Sequence, residues 1–207
     1  MDNNQAEEFK KVYSEFLKVV SMIKGLFFDF NLAILTLLDF FNSNQQTALM
    51  LVYSNPDGPK SIDDLDRLPL LYSNGSPGES DAKIVFNSTQ GEFKERNKLN
   101  GVNHLFISNM VLVTLYQYWE NYYRPKLAKI LHISTSNIKC DTLYEIKLLR
   151  DSIIHHDSIA IKKCSKMKIF TWFKPGDQII IDGERLLMIV QRLHEVTFKF
   201  ENLNQGV

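Results

Sequence analysis

Between residues 102 and 123 the chain leaves almost no polar face. Leu105, Phe106, Met110, Val111, Leu112, Val113, Leu115, Tyr116, Tyr118 and Trp119 fall on every side of a helical wheel. That pattern predicts a central helix packed on several sides, and it points the whole chain toward an all-α bundle. Glu120, Asn121, Tyr122 and Arg124 end the stretch, and Pro125 kinks or restarts it.

The flanking segments supply further helices. Over residues 5–25, Phe9, Val12, Tyr13, Phe16, Val19, Val20 and Ile23 recur at helical spacing. The run LFFDFNLAILTLLDFF over residues 26–41 continues the helix, with a bend expected near Gly25. It carries Asp29, Asn31 and Asp39. A membrane span needs roughly twenty residues with few or no charges, so this shorter run reads as a core or interface helix. Ser43 is placed to cap a following helix over 44–53. Residues 54–91 change texture: the turn clusters Asn55-Pro56-Asp57-Gly58-Pro59 and Asn74-Gly75-Ser76-Pro77-Gly78 predict a long loop insert, with one short helix within 62–71.

The bulk properties narrow the function classes. At 207 residues and 24.0 kDa the chain suits a single domain over 1–207. Net charge is zero, which argues against a protein that coats duplex DNA or lies on an acidic membrane. Cys140 and Cys164 stand without CxxC spacing, so neither a zinc site nor a disulfide framework is expected. The polar start Met1-Asp2-Asn3-Asn4-Gln5 shows no signal peptide, and the expectation is a cytoplasmic protein. No Gly-rich phosphate loop, HExxH, GxSxG or acidic cluster is present; no metal or cofactor is expected.

One segment carries chemistry: Leu149-Arg150-Asp151-Ser152-Ile153-Ile154-His155-His156-Asp157. On a wheel of about 100° per residue, Leu143, Ile146, Leu149, Ile153 and Ile154 share an apolar arc, and Arg150 falls in its middle. An arginine there is costly unless something pairs with it. Asp151 and His155 are four residues apart, so a carboxylate can hydrogen-bond the imidazole and set its tautomer. Asp141 or Thr142 can cap this helix.

Arg150 followed by a polar residue, apolar Ile153 and Ile154, and then His155 resembles the Arg-x4-His signature of the HEPN superfamily. These are small helical domains of prokaryotic defence, toxin–antitoxin and RNA-processing systems, and many are metal-independent RNases. The resemblance covers about residues 100–200. Asp151 stands where the family more often has Asn, and His156 doubles the histidine. The resemblance implies a HEPN-like bundle acting as an endoribonuclease on RNA. Arg150, Asp151 and His155 would be its catalytic residues, in a homodimer whose two motifs face each other, with an antitoxin or other partner protein and no role at a membrane.

Each residue also has a plainer reading. Arg150 can pair with a buried acid such as Glu120 or Glu145, or snorkel. His155 suits the negative end of a helix, His156 an exposed cap, and Asp151 an ion pair with Lys147. Lys162, Lys163, Lys166 and Lys168, with Trp172 and Phe173 nearby, can guide RNA by charge and stacking or form a solvated loop. Residues 169–173 and 178–181, across the turn Lys174-Pro175-Gly176-Asp177, predict a short β-hairpin-like accessory before the last helix. That helix opens at Asp182 or Gly183 and runs to about Phe200. The rival readings are a non-catalytic HEPN-like module that binds RNA or protein, and an unrelated helical protein with a structural Arg150.

Overall fold

The computed structural model describes residues 1–52, 57–76, 78–80 and 82–201. The chain is mostly helical, at 65% helix and 10% strand, with two short sheets. Where the sequence suggests one domain, contacts group the chain into two compact units: Met1–Asp29 with Phe106–Val207, and Phe30–Leu105.

Helix α1 is one uninterrupted element, Asn3–Val52. It runs unbroken through Gly25, and Ser43 lies inside the helix instead of capping a new one. Its first half is amphipathic as the spacing predicts: Phe9, Val12, Phe16, Val20 and Ile23 are buried. The apolar run beyond it is not a core helix. Over 26–41 only Phe27 and Ile34 are buried, while Leu26, Leu32 and Phe40 are each more than 60% exposed. By length and composition α1 is apolar enough to cross a membrane.

The second unit replaces the expected loop insert with ordered elements. These are α2 (Ile62–Asp66), strands β1 (Pro69–Asn74) and β2 (Lys83–Thr89), and α3 (Gln90–Asn97). β1 and β2 pair antiparallel, Leu71 opposite Asn87 and Tyr72 opposite Phe86. The apolar triplets Leu70-Leu71-Tyr72 and Ile84-Val85-Phe86 flank the second turn cluster. Its Pro77, like Asn55 and Pro56 of the first, lies outside the described residues. Thr89 and Glu92 form a reciprocal capping box at the start of α3. The unit's polar centre is Gln45, whose amide donates to Asp66 and Gln90, with Lys94 paired to Asp66 at 2.7 Å.

In the first unit, α4 (Val102–Tyr118) runs through a π-helical turn, Trp119–Tyr123, into α5 (Arg124–Ile130). Pro125 sits at the start of α5, where its missing N–H is tolerated because the widened turn has already broken the regular ladder. The α4 side chains Leu112 and Leu115 are buried, as is Trp119 just beyond them; Phe106, Tyr118 and Tyr122 are exposed. Strand β3 (Ile138–Lys139) precedes α6 (Asp141–His155), which carries the motif. The last helix, α7 (Gly183–His194), is capped by Asp182, whose carboxylate accepts the Arg185 N–H. It stops short of Phe200, which instead lies in β4 (Lys199–Phe200) opposite Ile138.

The hairpin-like accessory expected between α6 and α7 is absent. Residues 169–173 and 178–181 form no strands, and a single bridge joins Ile159 to Gln178. The apolar residues that suggested strands serve the core directly: Phe170, Ile179 and Ile181 are almost fully buried. They complete a core with Phe16, Leu127, Ile146, Leu149, Leu186, Ile189 and Leu193.

Candidate functional site

Helix α6 buries a wider face than the wheel predicts. Thr142, Leu143, Glu145, Ile146, Leu148, Leu149, Ser152 and Ile153 are all buried. The centre of that face falls near Leu149 and Ser152, so Arg150 lies at its margin, not its middle. Ile154, assigned to the apolar arc, is 42% exposed. The Arg150 side chain is 24% exposed and that of Asp151 27%, while His155 is exposed.

Three motif residues come together. Arg150 Nη1 donates to Asp151 Oδ1 at 3.1 Å and lies 3.2 Å from His155 Nε2. A guanidinium has donors only. The second contact is therefore a hydrogen bond when Nε2 carries the lone pair and the ring proton sits on Nδ1. Arg150, not Asp151, sets the tautomer. The carboxylate turns to the arginine, and no hydrogen bond joins Asp151 to His155 or Lys147 among the described residues. Among the described residues Arg150 Nε is buried without a partner, a state that usually costs about 1–3 kcal/mol.

Glu120 and Glu145, the acids suggested for a structural pairing, are both engaged elsewhere. Glu120 accepts from the Tyr116 hydroxyl at 2.9 Å and pairs with Arg124 at 2.9 Å. Burial first, and then this hydrogen bond, push the Tyr116 hydroxyl above its ordinary range. Glu145 is buried and accepts the backbone N–H groups of Lys168, Ile169 and Phe170 at 2.6–3.2 Å.

The turn after His156 fixes where α6 ends. Asp157 and Ser158 both adopt left-handed backbone, with φ of 51° and 61°. For non-glycine residues this costs roughly 1–2 kcal/mol each, so the surroundings must hold the turn. Asn109 of α4 does so: its amide donates to Ser158 Oγ and to the Ile179 carbonyl. Ser152 adds a second tie, donating to Leu148 and accepting the Ile161 N–H. The sequence pattern assigns Asn109 no role, offers Glu145 only as a partner for Arg150, and passes over Ser152 within the motif. Their signal was a polar residue at a helical position whose neighbours are apolar.

The lysine cluster divides. Lys163, Lys166 and Lys168 border a hollow of about 380 Å³ with Tyr144, Leu148 and Ile169. Lys162 lines a separate hollow with His156, Ile159 and Pro175. The aromatic residues expected to assist them do not face solvent as stacking surfaces. Phe173 is buried, and Trp172 packs on Phe170 with ring centres 4.9 Å apart. Arg150, Asp151 and His155 line neither these hollows nor the two bordered by Tyr116 and Met110; the trio occupies an open helix face. Among the described residues no three His, Cys, Asp or Glu side chains gather as metal ligands. No family model, curated protein or solved structure matches the chain.

Proposed function

We propose that the chain is a HEPN-type endoribonuclease that cleaves RNA by 2′-hydroxyl transesterification without a metal. The observation that carries this reading is the Arg150–His155 contact at 3.2 Å on an accessible helix face. A phosphodiester entering beside the pair offers Arg150 a better partner than a neutral ring. As the guanidinium moves to the phosphate, Nε2 is left with a free lone pair. His155 then takes the proton of the 2′-hydroxyl. The 2′-oxygen attacks the adjacent phosphorus, and the bond to the 5′-oxygen breaks. That oxygen leaves with a proton from the imidazolium or from water. Arg150 neutralises the charge that builds on the phosphoryl oxygens. The products are a 2′,3′-cyclic phosphate and a 5′-hydroxyl end.

One open face is half of a cleft. We assign the other half to a second copy, so that the two motifs face each other. The exposed apolar side chains of residues 26–41 support a homodimer, because a stretch of that size is usually covered. A prokaryotic defence or toxin–antitoxin setting in the cytoplasm, with an antitoxin as partner, follows from the same resemblance.

Asp151 favours a second reading, a module that binds RNA or protein without cutting. Its carboxylate occupies the guanidinium that catalysis needs. Incubation with single-stranded RNA in EDTA separates the two. Cleavage with cyclic-phosphate ends supports the nuclease; RNA binding without cleavage supports the module.

A further inference from the structure

We infer that the hollow bordered by Tyr144, Lys163, Lys166 and Lys168 is a single-strand RNA subsite, holding nucleotides beside the one cleaved at Arg150 and His155. The inference rests on the nuclease reading for its context and on separate observations for its content. Tyr144, Leu148, Asp151 and His155 have the i, i+4, i+7, i+11 spacing of one helix stripe. The hollow therefore opens along the same stripe of α6 as the candidate catalytic histidine. Tyr144 lies eleven residues before His155, about 16 Å at the usual helical rise. A strand a few nucleotides long can touch both.

The chemistry of the hollow fits a single strand. Tyr144 is 54% exposed, a free aromatic face on which a base can stack. Lys163, Lys166 and Lys168 are exposed, and no ion pair joins them to a carboxylate among the described residues. The two acids at the rim are already engaged: Asp141 pairs with Lys199 at 3.0 Å, and Glu145 is held by the Lys168, Ile169 and Phe170 amides. Those amides also anchor the lysine loop to α6, so the cations are held at a set distance from Tyr144. At about 380 Å³ the hollow is at the small end of ligand sites, suited to one base and its phosphate. A duplex, with its bases stacked inside, offers Tyr144 no face.

The test is binding, read apart from cleavage. A labelled single-stranded RNA is titrated by fluorescence anisotropy into the His155→Ala protein, alone and combined with Lys163→Ala/Lys166→Ala/Lys168→Ala, Tyr144→Ala or Tyr144→Phe. All these sites are exposed, and unchanged melting confirms that each variant is folded. The triple lysine change should weaken binding at least tenfold and flatten the log–log salt dependence by about two, as expected for three lost phosphate contacts. Tyr144→Ala should weaken binding about tenfold, while Tyr144→Phe should not. Equal affinity of the triple variant and its parent overturns the subsite even if the wild-type chain cuts RNA. A parent that binds no RNA, or that prefers duplex, also overturns it. Binding that depends on Tyr144 and the lysines, in a chain that never cleaves, keeps the subsite and removes the nuclease.

Discussion

Arg150 reaches five residues forward along α6 to place Nη1 3.2 Å from Nε2 of His155. The same Nη1 also donates to Asp151 Oδ1 at 3.1 Å, so one guanidinium nitrogen joins the carboxylate and the imidazole at the edge of the core. The contact is a hydrogen bond when the Nε2 lone pair points at Arg150.

Replacing His155 by Ala should abolish cleavage of single-stranded RNA in EDTA, because the proton acceptor is gone. Arg150→Lys should impair it, since an ammonium cannot reproduce the planar fork. DNA of matching sequence should stay intact, lacking the 2′-hydroxyl. Gel analysis of end-labelled substrates reads all three. Undiminished cleavage by the His155→Ala and Arg150→Ala proteins, or a need for added magnesium, would move the assignment to the binding module.

Asp151→Asn should raise activity. The carboxylate competes with phosphate for Arg150 at 3.1 Å. The pair is partly exposed, so its strength is modest, at most about 1 kcal/mol. A gain of roughly threefold in RNA affinity or cleavage rate is expected. A loss would mean that the acid takes part in proton transfer.

Glu145→Ala should destabilise the fold by about 3 kcal/mol, because it leaves the part-buried amides of Lys168 and Ile169 and the buried amide of Phe170 without their acceptor. Glu145→Gln keeps one good acceptor and should cost less. Urea denaturation of the two variants gives the difference, and a Gln variant as weak as Ala would show that the charge, not the geometry, holds the loop.

Alkaline pH should loosen the protein through Tyr13 and Tyr116. Burial is the first cause of the upward shift in both, joined by the nearby Cys140 for Tyr13 and by the Glu120 hydrogen bond for Tyr116. Below their ordinary value of about 10, both states of the chain keep these protons and the stabilising contribution is complete. Above it the unfolded chain ionises first and binds fewer protons, so stability falls as pH rises, by up to about 1.4 kcal/mol per pH unit for each group. Tyr13→Phe should flatten that decline. It should also lose about 1 kcal/mol at neutral pH, since the hydroxyl donates to the Leu193 carbonyl at 2.7 Å. Chemical denaturation at pH 8 and pH 11 tests the slope.

The solution mass should be that of a dimer, twice 24.0 kDa. Charged substitutions at Leu32 and Phe40, both strongly exposed in one copy, should shift it toward the monomer. A monomer at micromolar concentration by light scattering would remove the two-copy cleft.

Local periodicity made much of the fold legible. The buried stripe of α1 from Phe9 to Ile23, the apolar α4, and α7 opening after Asp182 all come from residue spacing. The sequence misled where one apolar run has two uses. Ile169, Phe170, Ile179 and Ile181 have strand composition, yet they pack on the core from irregular backbone: Glu145 accepts the Ile169 and Phe170 amides, and the Ser158 carbonyl accepts that of Ile179. Conversely, Tyr72 and Phe86 pair in a hairpin where the turn-rich sequence predicts a loop, since the short strands are mostly exposed and do not alternate. At the site, the spacing of Arg150 and His155 was visible. The partners were not: an arginine long enough to bypass one turn of helix leaves no trace in a wheel diagram. Asn109 and Ser152 act through contacts 49 and 9 residues away in sequence.

The amides gathered by Glu145 tie the lysine loop to the same helix that bears Arg150 and His155. Ile146, Leu149 and Ser152 lock that helix in the core, so the proposed reacting pair and the cationic rim keep one spacing, like teeth on one shaft.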